Sequence, residues 1–204
     1  PEVSLTVSAN SANLAQLQRM MKWESPLDLG RLGKMSLEGT IASSFEKMDV
    51  RLNSKIGGNL LNVKASVRSA TLKQFPEIGS IDAEVDGTAA SLALLVDQLE
   101  LPMARPVAAD DRPVRVKGRI KGNLAHVDLD ADIRIAGGDI ILKGRQKGTG
   151  AAASLDMALE VKGAETRDFI RGLGVDFTPS RAKLGPILLK MTVTGNPGQY
   201  AFNN

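Results

Sequence analysis

Apolar and polar residues alternate with a period of two through long stretches of the chain: Val3, Leu5, Val7; Met35, Leu37, Ile41; Met48, Val50, Leu52, Ile56; and Leu61, Val63, Ala65, Val67. Successive side chains of a strand point to opposite faces, so each run predicts a strand with one buried and one wetted side. A second set follows the same rule with Ile81, Ala83, Val85; Val114, Val116, Ile120; Val127, Leu129, Ala131, Ile133, Ile135; and Ile140, Leu142. Lys, Arg, Asp, Glu, Ser and Thr fill the positions between, which is the habit of antiparallel sheets with one wet face. Gly57-Gly58 and Gly137-Gly138 stand between consecutive runs and read as tight hairpin turns, where positive φ is needed. A glycine loop cradling a nucleotide would require a helix start after the strand, and a second strand follows instead.

Three segments change period. Residues 10–21 (Leu14, Leu17, Met20, Met21), 88–99 (Leu92, Leu95, Val96, Leu99) and 165–173 (Phe169, Ile170, Leu173) space their apolar residues three or four apart. The spacing predicts short amphipathic helices, the first capped by Asn10 or Ser11, each laying its apolar stripe over the mouth or edge of the adjoining sheet. Links containing Pro26, Pro102 to Pro113 and Pro179 to Pro186 follow them and return the chain to extended structure.

The pattern repeats. The segment Met35 to Ile41 aligns with Val114 to Ile120 at an offset of 79, which carries Gly39 to Gly118, Asp49 to Asp128, Ile56 to Ile135, Gly58 to Gly137 and Lys64 to Lys143 without a gap. Strands opening at Ser4, Ser80 and Ser154 head three units, and in the last of them Gly195 takes the place of Gly39 and Gly118. The expected organisation is unit 1 over residues 1–70, unit 2 over 71–147 and an incomplete unit 3 over 148–204, in one elongated domain of a larger protein. The expected fold class is mainly β with short helices (α+β), with repeated antiparallel strands forming a curved, groove-like sheet and one amphipathic helix per repeat. Alternation and repeat together place Leu37, Ile41, Val50, Leu52 and Ile56 with Val116, Ile120, Leu129, Ile133 and Ile135 on one continuous apolar face. Those ten residues are the candidate lipid-contacting site.

Composition sharpens this. Of 204 residues, 43% are apolar but only 3% aromatic, so the apolar surface is a smooth aliphatic layer suited to acyl chains. The net charge of +3 comes from 26 basic and 23 acidic residues without a basic block, and the aromatics do not recur as stacking platforms, so nucleic acid is not the expected partner. Without cysteine there are no disulfides or thiolate metal sites. The longest apolar run, Leu92 to Val96, is far too short to span a membrane.

Reactive chemistry is hard to assemble. His126 is the single histidine, placed at a turn before Val127, which leaves no histidine cluster for a metal. Asp128, Asp130 and Asp132 have the spacing that opens a calcium loop, but such a loop needs glycine at its sixth position and glutamate at its twelfth, where this chain has Ile133 and Asp139. A solvated strand face accounts for the three. No cofactor, no metal site and no catalytic residue are expected, and the chain is read as a non-enzyme.

The Leu5-Thr-Val7 strand followed by Asn13-Leu-Ala-Gln-Leu17, the segment Leu27-Asp-Leu-Gly-Arg-Leu-Gly-Lys-Met-Ser-Leu-Glu-Gly39, and Asp49 to Leu52 leading to Gly58-Asn-Leu-Leu-Asn-Val63 resemble the AsmA-like proteins of Gram-negative bacteria, relatives of TamB and of the chorein-type bridge-like lipid transporters. The resemblance implies a periplasmic protein anchored in the inner membrane, with an apolar groove that binds phospholipid or another acyl lipid. It also implies a role in lipid transport and outer-membrane homeostasis, with an outer-membrane partner. Scattered cations such as Lys34, Lys47, Lys55 and Arg134 would suit headgroups at the rim, but ordinary solubilising side chains are the preferred account of them. The alternative function is a structural or assembly module that docks outer-membrane protein precursors or other partners through sheet edges or helices.

Overall fold

A computed structural model describes residues 3–16, 30–44, 46–69, 78–100, 112–123, 125–148, 153–180, 183–196 and 199–203. The expected helical residues 17–21, Pro26 and the stretch 102–111 lie outside the described residues.

The chain is mainly β. Eleven strands follow one another: β1 (Val3–Ser11), β2 (Met35–Ser43), β3 (Lys47–Ile56), β4 (Asn59–Ser69), β5 (Ile78–Ala89), β6 (Val114–Asn123), β7 (His126–Ile135), β8 (Gly138–Lys147), β9 (Ser154–Gly163), β10 (Ile187–Asn196) and β11 (Gln199–Asn203). Each pairs antiparallel with the next, giving a single curved, unclosed sheet in chain order. Among the described residues, helices α1 (Leu92–Leu99) and α2 (Thr166–Gly172) follow β5 and β9. The strand β11 has no counterpart among the sequence-based expectations, because its five residues are too few to show a period.

The repeat is visible in the strand ends. At the 79-residue offset β2, β3 and β4 start where β6, β7 and β8 do, since Met35, Lys47 and Asn59 map to Val114, His126 and Gly138. Strands β6 and β7 map to β10 and β11 at an offset of 73, which takes Val114 to Ile187 and His126 to Gln199. Gly195 therefore stands over Gly122, not over Gly39 and Gly118. The two share a φ near +155° (154° and 155°) and face equivalent partners, Ile81 and Leu155. The opening strands also need correction. Val3 pairs with Ser43 and Ile81 with Gly122, positions 79 apart, so Ser4 corresponds to Asp82, two residues beyond Ser80. A two-residue slip keeps every side chain on its face, and alternation alone is blind to it.

The hairpin turns are two-residue loops with positive φ at both positions: Gly57 (55°) and Gly58 (91°), then Ala136 (52°) and Gly137 (75°). The second turn is thus Ala136-Gly137, and Gly138, which the sequence assigned to it, opens β8 opposite Ile135. Gly138 answers to a different constraint: a Cβ there would meet the Phe169 ring and the Lys162 carbonyl oxygen. The helix passes too close for a side chain.

The helices begin later than their periodicity suggests, because strand pairing holds the residues before them. Ser11 pairs with Met35 and Ala89 with Val114. A helical turn at 14–16 is capped by Asn13, whose Oδ1 accepts from the Ala15 (2.9 Å) and Gln16 (3.4 Å) amides. The caps at α1 and α2 are Ser91, accepting from the Leu94 amide, and Glu165, accepting from the Arg167 amide. Both helices lay their apolar stripes on one end of the sheet. Leu92 and Val96 pack with Ala89 and Val114; Phe169 packs with Ala136 and Val161; Leu14 and Leu32 form a third cluster with Met35, Ile56 and Leu99. Among the described residues no large side chain is fully buried, and they form one sheet with a partial second layer.

Candidate functional site

Register places all ten candidate residues on one face. Ile41 lies opposite Val50, which leads through Ala65 and Ala83 to Ile120 and Leu129, one unbroken row across six strands. The next row runs Leu52, Val63, Val85, Gly118, Ala131, and the next pairs Leu37 with Ser54 and, further on, Val116 with Ile133. The two five-residue sets are joined by Val63, Ala65, Ala83 and Val85, alternating strand positions outside the ten candidates. Their own alternation was the available signal.

The face is not uniform. All ten residues are half-buried, yet Ile56, Val116 and Ile135 pack against the helix clusters and belong to the capped end. The other seven, Leu37, Ile41, Val50, Leu52, Ile120, Leu129 and Ile133, touch none of those clusters. Small residues form the floor between them. Ala83 and Ala131 are only 8% and 9% exposed and belong to none of the helix-packed clusters.

The opposite face is a lattice of charge. Arg119 forks onto Asp82 with Nε at 3.0 Å from Oδ1 and Nη2 at 2.7 Å from Oδ2; Arg145 reaches Asp128 at 2.8 Å, Arg134 reaches Asp139 at 2.8 Å and Lys143 reaches Asp130 at 3.4 Å. The guanidiniums of Arg119 and Arg145 hold the Asp82 and Asp128 carboxyls below their usual range. Asp132 lies opposite Lys117, so the three alternating aspartates each face a cation on the wet side. His126 opens β7 with Nε2 3.3 Å from Asp128. Depressions of about 760 and 730 Å³ lie between these charged side chains, around Arg51, Lys64, Asp82 and Arg119 and around Asp86, Lys117 and Asp130. They are gaps between polar side chains of the wet face, several of them ion-paired.

Of the scattered cations, Lys55 and Arg134 sit where solubilising side chains belong. Lys55 pairs across strands with Ser36 and Leu60, and Arg134 with Arg115, which puts both on the wet face, as parity demands. Lys47 is held by Asp49 at 2.8 Å. Among the described residues no group of histidines, cysteines and carboxylates is arranged to hold a metal ion, and no helix is long and apolar enough to cross a membrane. A comparison of the chain with protein-family profiles, curated proteins and solved structures finds no match.

Proposed function

We propose that this chain is a trough segment that holds the acyl chains of phospholipids along its apolar face, and that it serves a periplasmic, AsmA-like parent protein anchored in the inner membrane. One observation carries the reading: seven aliphatic residues of two repeat units lie on a single continuous face that no helix among the described residues covers. An uncovered aliphatic surface of this breadth normally has an occupant. Eleven strands at ~4.8 Å spacing make a path of roughly 50 Å, and strands of nine or ten residues give it a width of roughly 30 Å. A single leaflet's acyl layer is about 15 Å deep, so chains fit across the trough with room to lie side by side. Each buried CH₂ is worth about 0.8 kcal/mol, and a dozen suffice for stable binding after ordering costs. The reading gives the chain no catalytic role; the charged face serves solubility and strand register.

Native mass spectrometry of the purified chain, directly and after incubation with phospholipid vesicles, tests the reading. Retained species at phospholipid masses are expected. A chain that stays lipid-free under both conditions removes it.

A further inference from the structure

Two clefts on the charged face are the same place in successive repeat units. Asp49, Lys64, Arg68 and Gly122 line the first, of about 760 Å³, and their repeat counterparts Asp128, Lys143, Lys147 and Gly195 line the second, of about 660 Å³. Their charge differs. Around the first stand six cations, Lys47, Arg51, Lys64, Arg68, Arg119 and Lys121, against three acids, Asp49, Asp82 and Glu84. Those acids are all engaged: Lys47 holds Asp49 at 2.8 Å, and Arg119 holds Asp82 at 2.7 Å and Glu84 at 3.8 Å. Arg51, Lys64, Arg68 and Lys121 are exposed, and among the described residues none of the four has an ion-pair partner. In the second cleft Arg145 is paired with Asp128 and Lys143 with Asp130, which leaves only Lys147. Strand register makes the first arrangement unfavourable. Arg51 lies directly opposite Lys64, and Lys47 opposite Arg68, and like charges facing each other across strands weaken a sheet. Where unit 1 has Arg51 and Lys64, unit 2 has Asp130 and Lys143, joined at 3.4 Å.

We propose that the first cleft binds a compact phosphate anion, a phosphomonoester or diphosphate, either free or as a lipid headgroup. Arg51 presents a planar fork of N–H donors that matches two phosphate oxygens, and Lys64, facing it, adds a point charge from the next strand. Arg68 and Lys121 extend the positive wall on β4 and β6. An anion seated between Arg51 and Lys64 turns their repulsion into two charge-assisted contacts, so binding should also stabilise the fold. The acids limit the size of the ligand. Glu84 lies opposite Lys64 and Asp82 opposite Lys121, so a long polyanion crossing the cleft would meet carboxylates, and no aromatic side chain lines it for a base to stack on. The inference does not rest on the trough reading, since the cleft and the apolar face lie on opposite sides of the sheet.

Calorimetric titration of the full 204-residue chain with inorganic pyrophosphate, and flotation with vesicles of phosphatidylcholine with and without phosphatidic acid, test it. Arg51→Asp gives unit 1 the acid that unit 2 carries at Asp130, so it should lose the anion while its melting temperature holds or rises. Lys64→Gln removes the facing cation without adding an acid. Each variant is expected to weaken binding about tenfold or more, whereas Lys147→Gln in the second cleft leaves it unchanged. Pyrophosphate should also raise the parent's melting temperature more than sodium chloride of equal ionic strength, and should not do so in Arg51→Asp. Pyrophosphate binding lost in Arg51→Asp, with flotation equal in parent and variant, assigns the site to a free phosphate. Flotation that requires phosphatidic acid and is lost in Arg51→Asp assigns it to a headgroup. The proposal is overturned if neither probe distinguishes the parent from Arg51→Asp and Lys64→Gln, if Lys147→Gln weakens binding as much as they do, or if sodium chloride stabilises the parent as well as pyrophosphate.

Discussion

Gly39 and Gly118 occupy equivalent places in the repeat for different physical reasons. A Cβ on Gly39 would run into the Arg51 carbonyl oxygen and a Leu52 methyl, whereas at Gly118 the nearest atoms are the Asp130 oxygen at 3.7 Å and the Ala131 Cβ at 4.0 Å. Two things differ: the neighbouring strand's main chain comes closer at Gly39, and the residue opposite is Leu52 there but its repeat counterpart Ala131 at Gly118. Gly39→Ala is expected to cost about 1–3 kcal/mol through overpacking, while Gly118→Ala, relieved of glycine's chain entropy, should be neutral or stabilise by about 0.5–1 kcal/mol. Urea unfolding of the two variants measures both. At Glu165 the carboxylate accepts from the Leu184 (3.0 Å), Gly185 (3.3 Å) and Arg167 (3.4 Å) amides, tying α2 to the segment before β10. These donors, the Leu184 amide foremost, lower its pKa. A depressed folded-state pKa means that the contribution is complete above the unfolded carboxylate's range and is lost as pH falls through the folded value. Glu165→Gln should therefore melt lower at neutral pH, and its melting temperature should fall less than the parent's on acidification.

At the scale of elements, the helices act as clamps between units. Gln98 of α1, 6% exposed, donates to the Gly57 carbonyl at 3.0 Å and accepts from the Asn59 side-chain Nδ2 at 2.6 Å, so the helix after β5 grips the β3–β4 hairpin. Phe169 of α2 performs the same task over the β7–β8 hairpin by packing on Ala136 and Gly138. Replacing Gln98 with Leu strands a carbonyl and an amide, and a loss of about 1–3 kcal/mol is expected. Hydrogen exchange should show faster opening of Gly57 to Asn59, with the β7–β8 hairpin unaffected. The sequence disclosed these helices through the spacing of Leu92, Val96, Phe169 and Leu173. It did not disclose their first residues, because a cross-strand partner at Met35 or Val114 decides whether Ser11 and Ala89 stay extended, and that partner is far away in the chain. The same blindness moved the second turn by one residue: two adjacent glycines looked like the turn, but Ala136 accepts the left-handed conformation at roughly 1–2 kcal/mol, under the cover of Phe169, and leaves Gly138 free to admit the ring.

For the whole molecule, the alternation made the sheet and its two faces legible, since parity survives every two-residue error of alignment. The division of the apolar face was not legible, because Leu52 and Ile56 share one strand and one parity, and only the helix position separates an uncovered site from a capped one. That division is testable with a charge. Leu52, Leu129 and Ile135 are all half-buried, but Leu52 and Leu129 touch none of the helix clusters, while Ile135 packs against the two clusters to which α1 and α2 contribute. In an open trough the carboxylate of Leu52→Glu or Leu129→Glu stays hydrated, so the fold should melt within a few degrees of the parent while bound phospholipid falls sharply. Ile135→Glu sets the same carboxylate among the apolar residues of two helix clusters without a partner, and a loss of about 1–3 kcal/mol is expected. Lipid content by native mass spectrometry and thermal melting by circular dichroism, measured on all three variants, separate the outcomes. If Leu52→Glu and Leu129→Glu unfold as readily as Ile135→Glu, the face is closed core and the trough is not there; if they fold and keep their lipid, the acyl chains run along some other surface.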